Sequence, residues 1–332
     1  MNNQGVGVIA TTLSGSIADW RKVERILPLF REHGREDVTL HVVGTHAEAR
    51  RQARVLVQAG VRTIISAGGS GTFNSVLEGC LDAGGDPGAT TLGFLRKGSA
   101  DLIGKTLGMP DSIEKAIEVF ANSMAAGRTV RCDVIEVLND MPDSVPRHFV
   151  GYGGAELFGR IPHYTENRFV KYYKGILSQL FGDLGPFSVG TTLAAVESVF
   201  VRMLGRKRRW RICVDGREAV PEFYQAIIIV NGYLGPDLPY AREVPLGSGD
   251  FYVFALRDQG LLRFPLQIHR AWNASIMDDP DRWGFERFRV AKTLRLEPEG
   301  DGPFPVNVDG ATLICQRAAK FRIAGQVSVL SA

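Results

Sequence analysis

The chain predicts an α/β protein in two parts: a three-layer domain built on a parallel sheet, and an antiparallel β-sandwich domain. Up to Gly127, short β-branched runs alternate with amphipathic helical patterns, the signature of strands covered on both faces by helices. Beyond Gly127, strand patterns follow one another with few helices between them, which marks a separate, mostly antiparallel domain. The length, 332 residues, exceeds one ordinary core and favours two domains, with a boundary near 128–131.

Gly5 to Ala10 reads as the first strand. A helix is expected over 17–33, with Ile17, Trp20, Val23, Ile26, Leu27 and Phe30 on one face and Trp20 in the core. Val38 to Val43 is the second strand, and Thr45 can cap a helix that turns Ala49, Ala53, Leu56 and Val57 inward and Arg50, Arg51 and Arg54 outward. Val61 to Ala67 is the third strand, followed by a helix from about Thr72. Thr90 to Phe94 is the fourth, and Ser112 caps a helix reaching Met124. In the second part, 131–138, 147–151, 209–214, 225–230, 249–256 and 287–296 read as strands, and 167–180 and 261–272 as helices.

Between the third strand and its helix lies Gly68-Gly69-Ser70-Gly71-Thr72. Glycines permit close backbone approach and positive φ, and amides at a helix N-terminus form a concavity suited to phosphate. Ligands of parallel sheets sit beyond the carboxyl ends of the strands, where the loops after the first three strands are expected to meet. Taken alone, such a glycine turn is an ordinary tight connection; its place before a helix, beside other polar turns, favours the phosphate reading.

Composition narrows the field. With 39 Lys and Arg against 36 Asp and Glu the net charge is only +3, too little for a dedicated nucleic-acid binder. The four cysteines and six histidines lack metal-site spacing, and reduced thiols are expected. Neither a signal peptide nor a membrane span is read. These features make a cytoplasmic protein, peripheral at most on the inner membrane face, the expectation. A homodimer is one admissible state.

Gly68-Gly69-Ser70-Gly71-Thr72-Phe73-Asn74-Ser75-Val76 resembles the Gly-Gly-Asp-Gly-Thr-x-Asn-Glu-Val motif of the diacylglycerol kinase-like lipid kinases, which include sphingosine and ceramide kinases. Leu13-Ser14-Gly15-Ser16 is similar to the family's first phosphate-side loop, and Gly98-Ser99-Ala100-Asp101 to its Gly-Thr-x-Asn turn. Val308-Asp309-Gly310-Ala311 is similar to its Asp-Gly-Glu signature, and Asn231-Gly232 also has a counterpart. The resemblance implies a nucleotide domain over 1–129, rejoined by a C-terminal segment near 319–332, and a lipid-substrate domain over 130–318. It further implies ATP and Mg²⁺, transfer of the γ-phosphoryl group to a lipid hydroxyl (of diacylglycerol, a sphingoid base or ceramide) in an inter-domain cleft, and a lipid partner at a membrane surface. Carried over residue by residue, it places nucleotide at Thr11, Ser14, Gly15, Ser16, Thr45, Gly68, Gly69, Ser70, Gly71, Thr72, Asn74, Arg96, Lys97, Gly98 and Ser99. Asp309, Ser70 and Lys97 become the catalytic candidates, and Asp101 and Asp309 the metal candidates.

The departures bear on chemistry. Ser70, Ser75, Ala311 and Ser248 stand where the family has acidic residues, and Leu102 where it has an aspartate. Asp309 survives as the candidate general base, and Arg96-Lys97 could stabilise the charge of a loose phosphoryl-transfer transition state. Read without the resemblance, Asp309-Gly310 is a hairpin turn, as is Asp215-Gly216. The basic run Arg206–Arg211 is either a solvated hairpin tip or a contact for anionic head groups. Two further functions fit the residues: a catalytically weak or inactive nucleotide- or lipid-binding relative with a regulatory role, and a soluble kinase akin to NAD kinase.

Overall fold

The structure, a computed structural model, describes residues 5–11, 23–84, 87–96, 104, 107–110, 112–141, 144–165, 207–233 and 239–331. The chain divides into two compact units, Met1–Val134 with Gly325–Ala332, and Ile135–Ala324.

In the first unit, β1 (Val6–Thr11), β2 (Val38–Val43), β3 (Thr63–Gly68) and β4 (Thr91–Arg96) pair in the order β2–β1–β3–β4, all parallel. Near the end of strand Ala319–Leu330, Ser328 and Val329 add in parallel to Thr91 and Leu92 of β4. Every residue of β1 is buried, as expected of a central strand covered on both faces, whereas the edge strand β2 has no fully buried residue.

The helices between these strands are α1 (Ile26–Glu32), α2 (His46–Gln58), α3 (Ser70–Asp82) and α4 (Ile113–Ala126). The expected start of α1 and Trp20 lie outside the described residues. Thr45 caps α2 by accepting from the Glu48 amide (3.1 Å), while Glu48 Oε2 accepts from the amide of the residue before the cap, Gly44 N (2.7 Å). Ser112 caps α4, and Gly127 closes it at φ 64°. α3 starts two residues before the expected Thr72, because Gly69 already holds the extended N-cap conformation (φ −90°, ψ −177°).

α2 and α3 pack at close range. A Cβ on Gly79 would lie 2.1 Å from Arg50 O and 2.8 Å from the Ala53 Cβ. Arg50, expected on an exposed helix face, is engaged by the neighbouring helix. Its guanidinium holds Asp82 through two bonds (2.5 and 2.8 Å) and Glu78 through a third (2.9 Å). Gly79→Ala is therefore expected to destabilise the protein by about 2 kcal/mol despite alanine's better helix propensity, since the obstructing atom is backbone. A denaturant midpoint equal to or above wild type would refute the close-approach argument.

In the second unit, β7 (Tyr152–Glu156), β10 (Tyr224–Val230), β11 (Phe251–Arg257), β12 (Phe285–Val290), β14 (Phe304–Val308) and β15 (Ala311–Cys315) form an antiparallel sheet in the order β12–β11–β10–β7–β14–β15. Facing it, β8 (Trp210–Val214), β9 (Arg217–Glu218), β13 (Thr293–Pro298) and the start of β16 (Ala319–Leu330) run in the order β16–β13–β8–β9, with β5 (Thr129–Asn139) pairing both β16 and β6 (Arg147–Phe149). Ile135, Trp210, Leu294 and Phe321 of this second sheet share one core with Ile227, Val253 and Val306 of the first. That is a sandwich.

Two expectations change here. The single strand read over 287–296 is two, β12 and β13, lying in different sheets. Asp215 makes the break, its carboxylate taking the amides of Ala291, Lys292 and Thr293 at 2.7–3.0 Å. A helix α5 (Leu157–Thr165) follows β7, where Gly159 and Pro162 hide the helical period in the sequence. The helix expected over 261–272 is α6 (Phe264–Trp272), and a short α7 (Pro280–Trp283) precedes β12. The helix expected over 167–180 lies outside the described residues.

Candidate functional site

In the first unit, the ends of β1 and β3 and the N-termini of α2 and α3 come together at the carboxyl edge of the parallel sheet. Thr11 and Thr72 are both buried, and their hydroxyl oxygens lie 2.8 Å apart, tying the end of β1 to the first turn of α3. Phe73 packs on Phe94 of β4 (centroids 5.0 Å apart) and fixes the helix from below. The first bond of the helix runs from Thr72 N to Gly69 O (3.0 Å). The amides of Gly69, Ser70 and Gly71 precede that bond, and no side chain caps them. Three donors at the positive end of a thirteen-residue helix suit a polyanion.

The glycines serve a different end from the one first read. None of Gly68, Gly69 and Gly71 has positive φ. They are required by proximity: a Cβ on Gly68 would stand 2.4 Å from Thr72 Oγ1 and 3.0 Å from Thr11 Oγ1, and one on Gly71 would stand 2.9 Å from the His46 ring. The strand therefore passes straight into the helix without a left-handed turn.

Asn74 sits one turn into α3, 1 % exposed, and both its Nδ2 and Oδ1 lack a hydrogen-bond partner. A buried primary amide left unpaired costs about 1–3 kcal/mol per group, so the site is built for something that satisfies it. Ser75 does not replace the missing carboxylate, since its hydroxyl donates to Gly71 O (2.8 Å) inside the helix. Thr45 likewise spends its hydroxyl on the α2 cap. Of Arg96 only the backbone, at the end of β4, is described. Ser14, Gly15, Ser16, Lys97, Gly98, Ser99 and Asp101 lie outside the described residues.

The second unit carries Asp309 and a residue the sequence did not reveal, Glu156. Asp309 occupies a left-handed position (φ 45°) followed by Gly310 (φ 85°), the backbone of a type I′ hairpin turn. Its Oδ2 accepts from Val150 N and Gly151 N (3.2 Å each) and its Oδ1 from Tyr152 N (2.7 Å). Asn231 grips the same loop from the other polarity, donating from Nδ2 to Val150 O (2.9 Å). Asp215 shares this Asp-Gly geometry (φ 51°, then 82°). The two differ in burial: Asp215, near the surface, titrates below its usual range, whereas desolvation pushes the Asp309 carboxyl up to about 6 against the pull of its three amides.

Glu156 closes β7 at φ 55°, a strained conformation for a residue with a side chain. It accepts from Trp210 Nε1 (2.7 Å), and burial pushes its carboxyl up, opposed by Arg160 and Trp210. Ser248 donates to Asp250 O (3.4 Å), while Arg289 holds the Asp250 carboxylate (2.8 Å). Where it is described, the basic run leads into β8 and is engaged within the unit, so it is not a solvated hairpin tip. Lys207 pairs with Asp258, Arg208 donates to Gly302 O (2.8 Å) and Arg209 stacks over Phe223 (5.2 Å).

Residues 5–137 match the model of the diacylglycerol kinase catalytic domain. That segment is similar to this family over 133 of the chain's 332 residues. The chain is 30 % identical over 127 residues to “Probable lipid kinase YegS” of Escherichia coli O1:K1 / APEC, and 29 % over 141 residues to “Probable lipid kinase YegS-like” of Citrobacter koseri. These alignments cover 38 % and 42 % of the chain, and 40 % and 45 % of the relatives' own lengths. The fold extends further. A diacylglycerol kinase from Bacillus anthracis str. Sterne aligns over 99 % of this chain and 97 % of its own, with a TM-score of 0.64 at 15 % identity.

The glycine turn thus meets one requirement of a phosphate site on this chain's own geometry: uncapped amides at a helix N-terminus. For Mg²⁺ the outcome differs. Among the described residues no three His, Cys, Asp or Glu side chains converge as a metal set. The positions at 70 and 75 are serines, so the described residues do not fit a metal held by the protein.

Proposed function

We propose that this protein is an ATP-dependent lipid kinase that transfers the γ-phosphoryl group to a lipid hydroxyl. The observation that carries this reading is the unsatisfied Asn74 amide beneath the uncapped amides of Gly69–Gly71. Together they offer both donors and an acceptor in a segment similar to the diacylglycerol kinase catalytic domain family. The amides bind and orient the phosphate chain, giving charge stabilisation that needs no reorganisation as the bond to the leaving oxygen breaks. Ser70 lies beside them as a neutral hydroxyl, and Arg96 and Lys97 are the proposed source of positive charge. Asp309 takes the proton of the acceptor hydroxyl: a carboxyl held at about 6 is ionised near neutrality yet basic enough to share a proton. Oδ1 accepts a single amide and keeps a lone pair for this.

The test is transfer of label from γ-labelled ATP to extracted lipids. Labelled lipid from wild type supports the proposal, and label on a water-soluble acceptor contradicts it. A second reading, a nucleotide-binding relative that has lost catalysis, is favoured by the serines at 70 and 75. Nucleotide binding without transfer to any acceptor would select it.

Ser70→Asp separates two designs of the site. If it retains an acidic logic, the variant gains activity. If the neutral hydroxyl belongs to the present design, a carboxylate beside the phosphates costs about tenfold or more in kcat/KM. The present geometry predicts the loss, because Ser75 and Ser248 are also bonded as neutral groups. A rate at or above wild type would contradict it.

A further inference from the structure

Helix α2 runs beside α3 and begins at its first turn. The two meet through glycines of α3, with Gly79 against Arg50 O and Gly71 against the His46 ring. Ala49 and Ala53 of α2 are fully buried, and the Arg50 guanidinium clamps Asp82 and Glu78 of α3, so α2 is held along its length. His46 is the first residue of α2, directly after the Thr45 cap. Its imidazole is therefore placed by two packed helices and not by a loop.

The Cε1–Nε2 edge of the ring faces the glycine: a Cβ on Gly71 would stand 2.9 Å from Cε1 and 3.1 Å from Nε2, against 3.8 Å from Nδ1. Gly71 is one of the three residues whose amides precede the first bond of α3 and carry no side-chain cap. A ring nitrogen thus stands beside the donors already assigned to phosphate. An exposed histidine opening a helix is ordinary by itself. Here a second observation marks the place as a ligand seat: Asn74, buried one turn into α3, has neither polar atom of its amide paired. Both helices direct their positive ends at this spot, a field that suits an anion. The neighbouring charges are engaged elsewhere, Glu48 Oε2 by Gly44 N and Arg50 by Asp82 and Glu78. Ser75, on the facing helix, is neutral and bonded to Gly71 O. An imidazole donates one N–H when neutral and two when charged, so it can bond phosphate in either state.

We infer that His46 is a further nucleotide-binding residue, its ring donating to the phosphate chain held by the Gly69–Gly71 amides. The inference rests on the kinase reading for the class of ligand, a nucleoside triphosphate, and adds a residue to its site. It also gives Gly71 a reason beyond packing: any side chain there would push the ring off its seat beside the amides.

The experiment is calorimetric titration of the full chain with ATP and with inorganic triphosphate, in the absence of divalent cations. His46→Ala is expected to weaken both by about tenfold, the loss of one hydrogen bond to a charged group. His46→Gln, whose Nε2 donates from a similar reach, should recover most of that loss. Thermal midpoints should stay at the wild-type value, because residue 46 is exposed. In ¹⁵N-labelled protein the His46 ring nitrogens, identified by their absence from His46→Ala, should shift on adding triphosphate. Gly71→Ala displaces the ring, and should weaken binding severalfold in wild type yet add little in a His46→Ala background. Equal affinity of wild type and His46→Ala, with the Gly69–Gly71 amides shifting in both, overturns the inference and leaves the kinase reading standing. So does a Gly71→Ala cost of the same size in both backgrounds, or a loss shared by His46→Ala and His46→Gln that follows a lowered thermal midpoint. Failure of wild type to bind ATP at all would sink the kinase reading and take this inference with it.

Discussion

Gly71→Asp is expected to weaken ATP binding by about 100-fold or more while leaving the fold intact. The new carboxylate would stand in the first turn of α3, next to the amides that precede its first bond, and set like charge against phosphate. Fold retention follows from the local geometry. Gly71 has no positive φ, so no strained backbone is imposed, and its Cβ meets only the far end of a side chain, the ring of exposed His46, and no backbone atom. Gly68→Ala makes the contrast. Its Cβ meets Thr72 Oγ1 at 2.4 Å within a buried pair of threonines, so that substitution should damage stability along with binding. Calorimetric titration with ATP and thermal unfolding of each variant distinguish the two. Unaltered affinity in Gly71→Asp would mean that the phosphate chain lies elsewhere.

Asp309→Asn is expected to reduce phosphoryl transfer by about 10²–10⁴-fold, the range associated with loss of a general base. It should also abolish the acidic limb of the pH profile. The sign follows from burial. The carboxyl titrates at about 6, above its ordinary value, so it still holds its proton between roughly pH 4 and 6 and is an ionised base only above that. Wild-type kcat/KM should therefore fall as pH drops through about 6. Stability runs the other way: this residue's contribution favours folding at low pH and is lost as pH rises through about 6. Asparagine has one acceptor oxygen for three amides and presents an NH₂ to donors, so some destabilisation is also expected. A variant that loses stability yet keeps the acidic limb would make Asp309 a clamp for the 150–152 loop and nothing more.

Most of the fold was legible because it rests on local periodicity. Alternating strands and amphipathic helices imply the parallel sheet of the first unit, though not its strand order, and the caps at Thr45 and Ser112 follow from residue type alone. What failed to show was non-local. The break between β12 and β13 is made by the Asp215 carboxylate more than seventy residues away, so 287–296 read as one strand. The strain at Glu156, its bond to Trp210 and the orphaned amide of Asn74 exist only once distant segments are packed. The glycine turn was found for a reason that needed revision. It was located by its spacing before a helix, but its glycines answer to the closeness of Thr11, Thr72 and His46 and not to positive φ. The bidentate hold of Arg50 on Asp82 was hidden for the same cause, since helical periodicity places a residue on a face without saying what the next helix brings to it.

Amide-resolved NMR of the deuterated protein, titrated with ATP and separately with adenosine, tests the phosphate cradle most directly. ATP is expected to shift the amides of Gly69, Ser70 and Gly71 and the side-chain NH₂ of Asn74, and adenosine to leave those four signals in place. Shifts confined to other segments on adding ATP, with these four unmoved, would contradict the account.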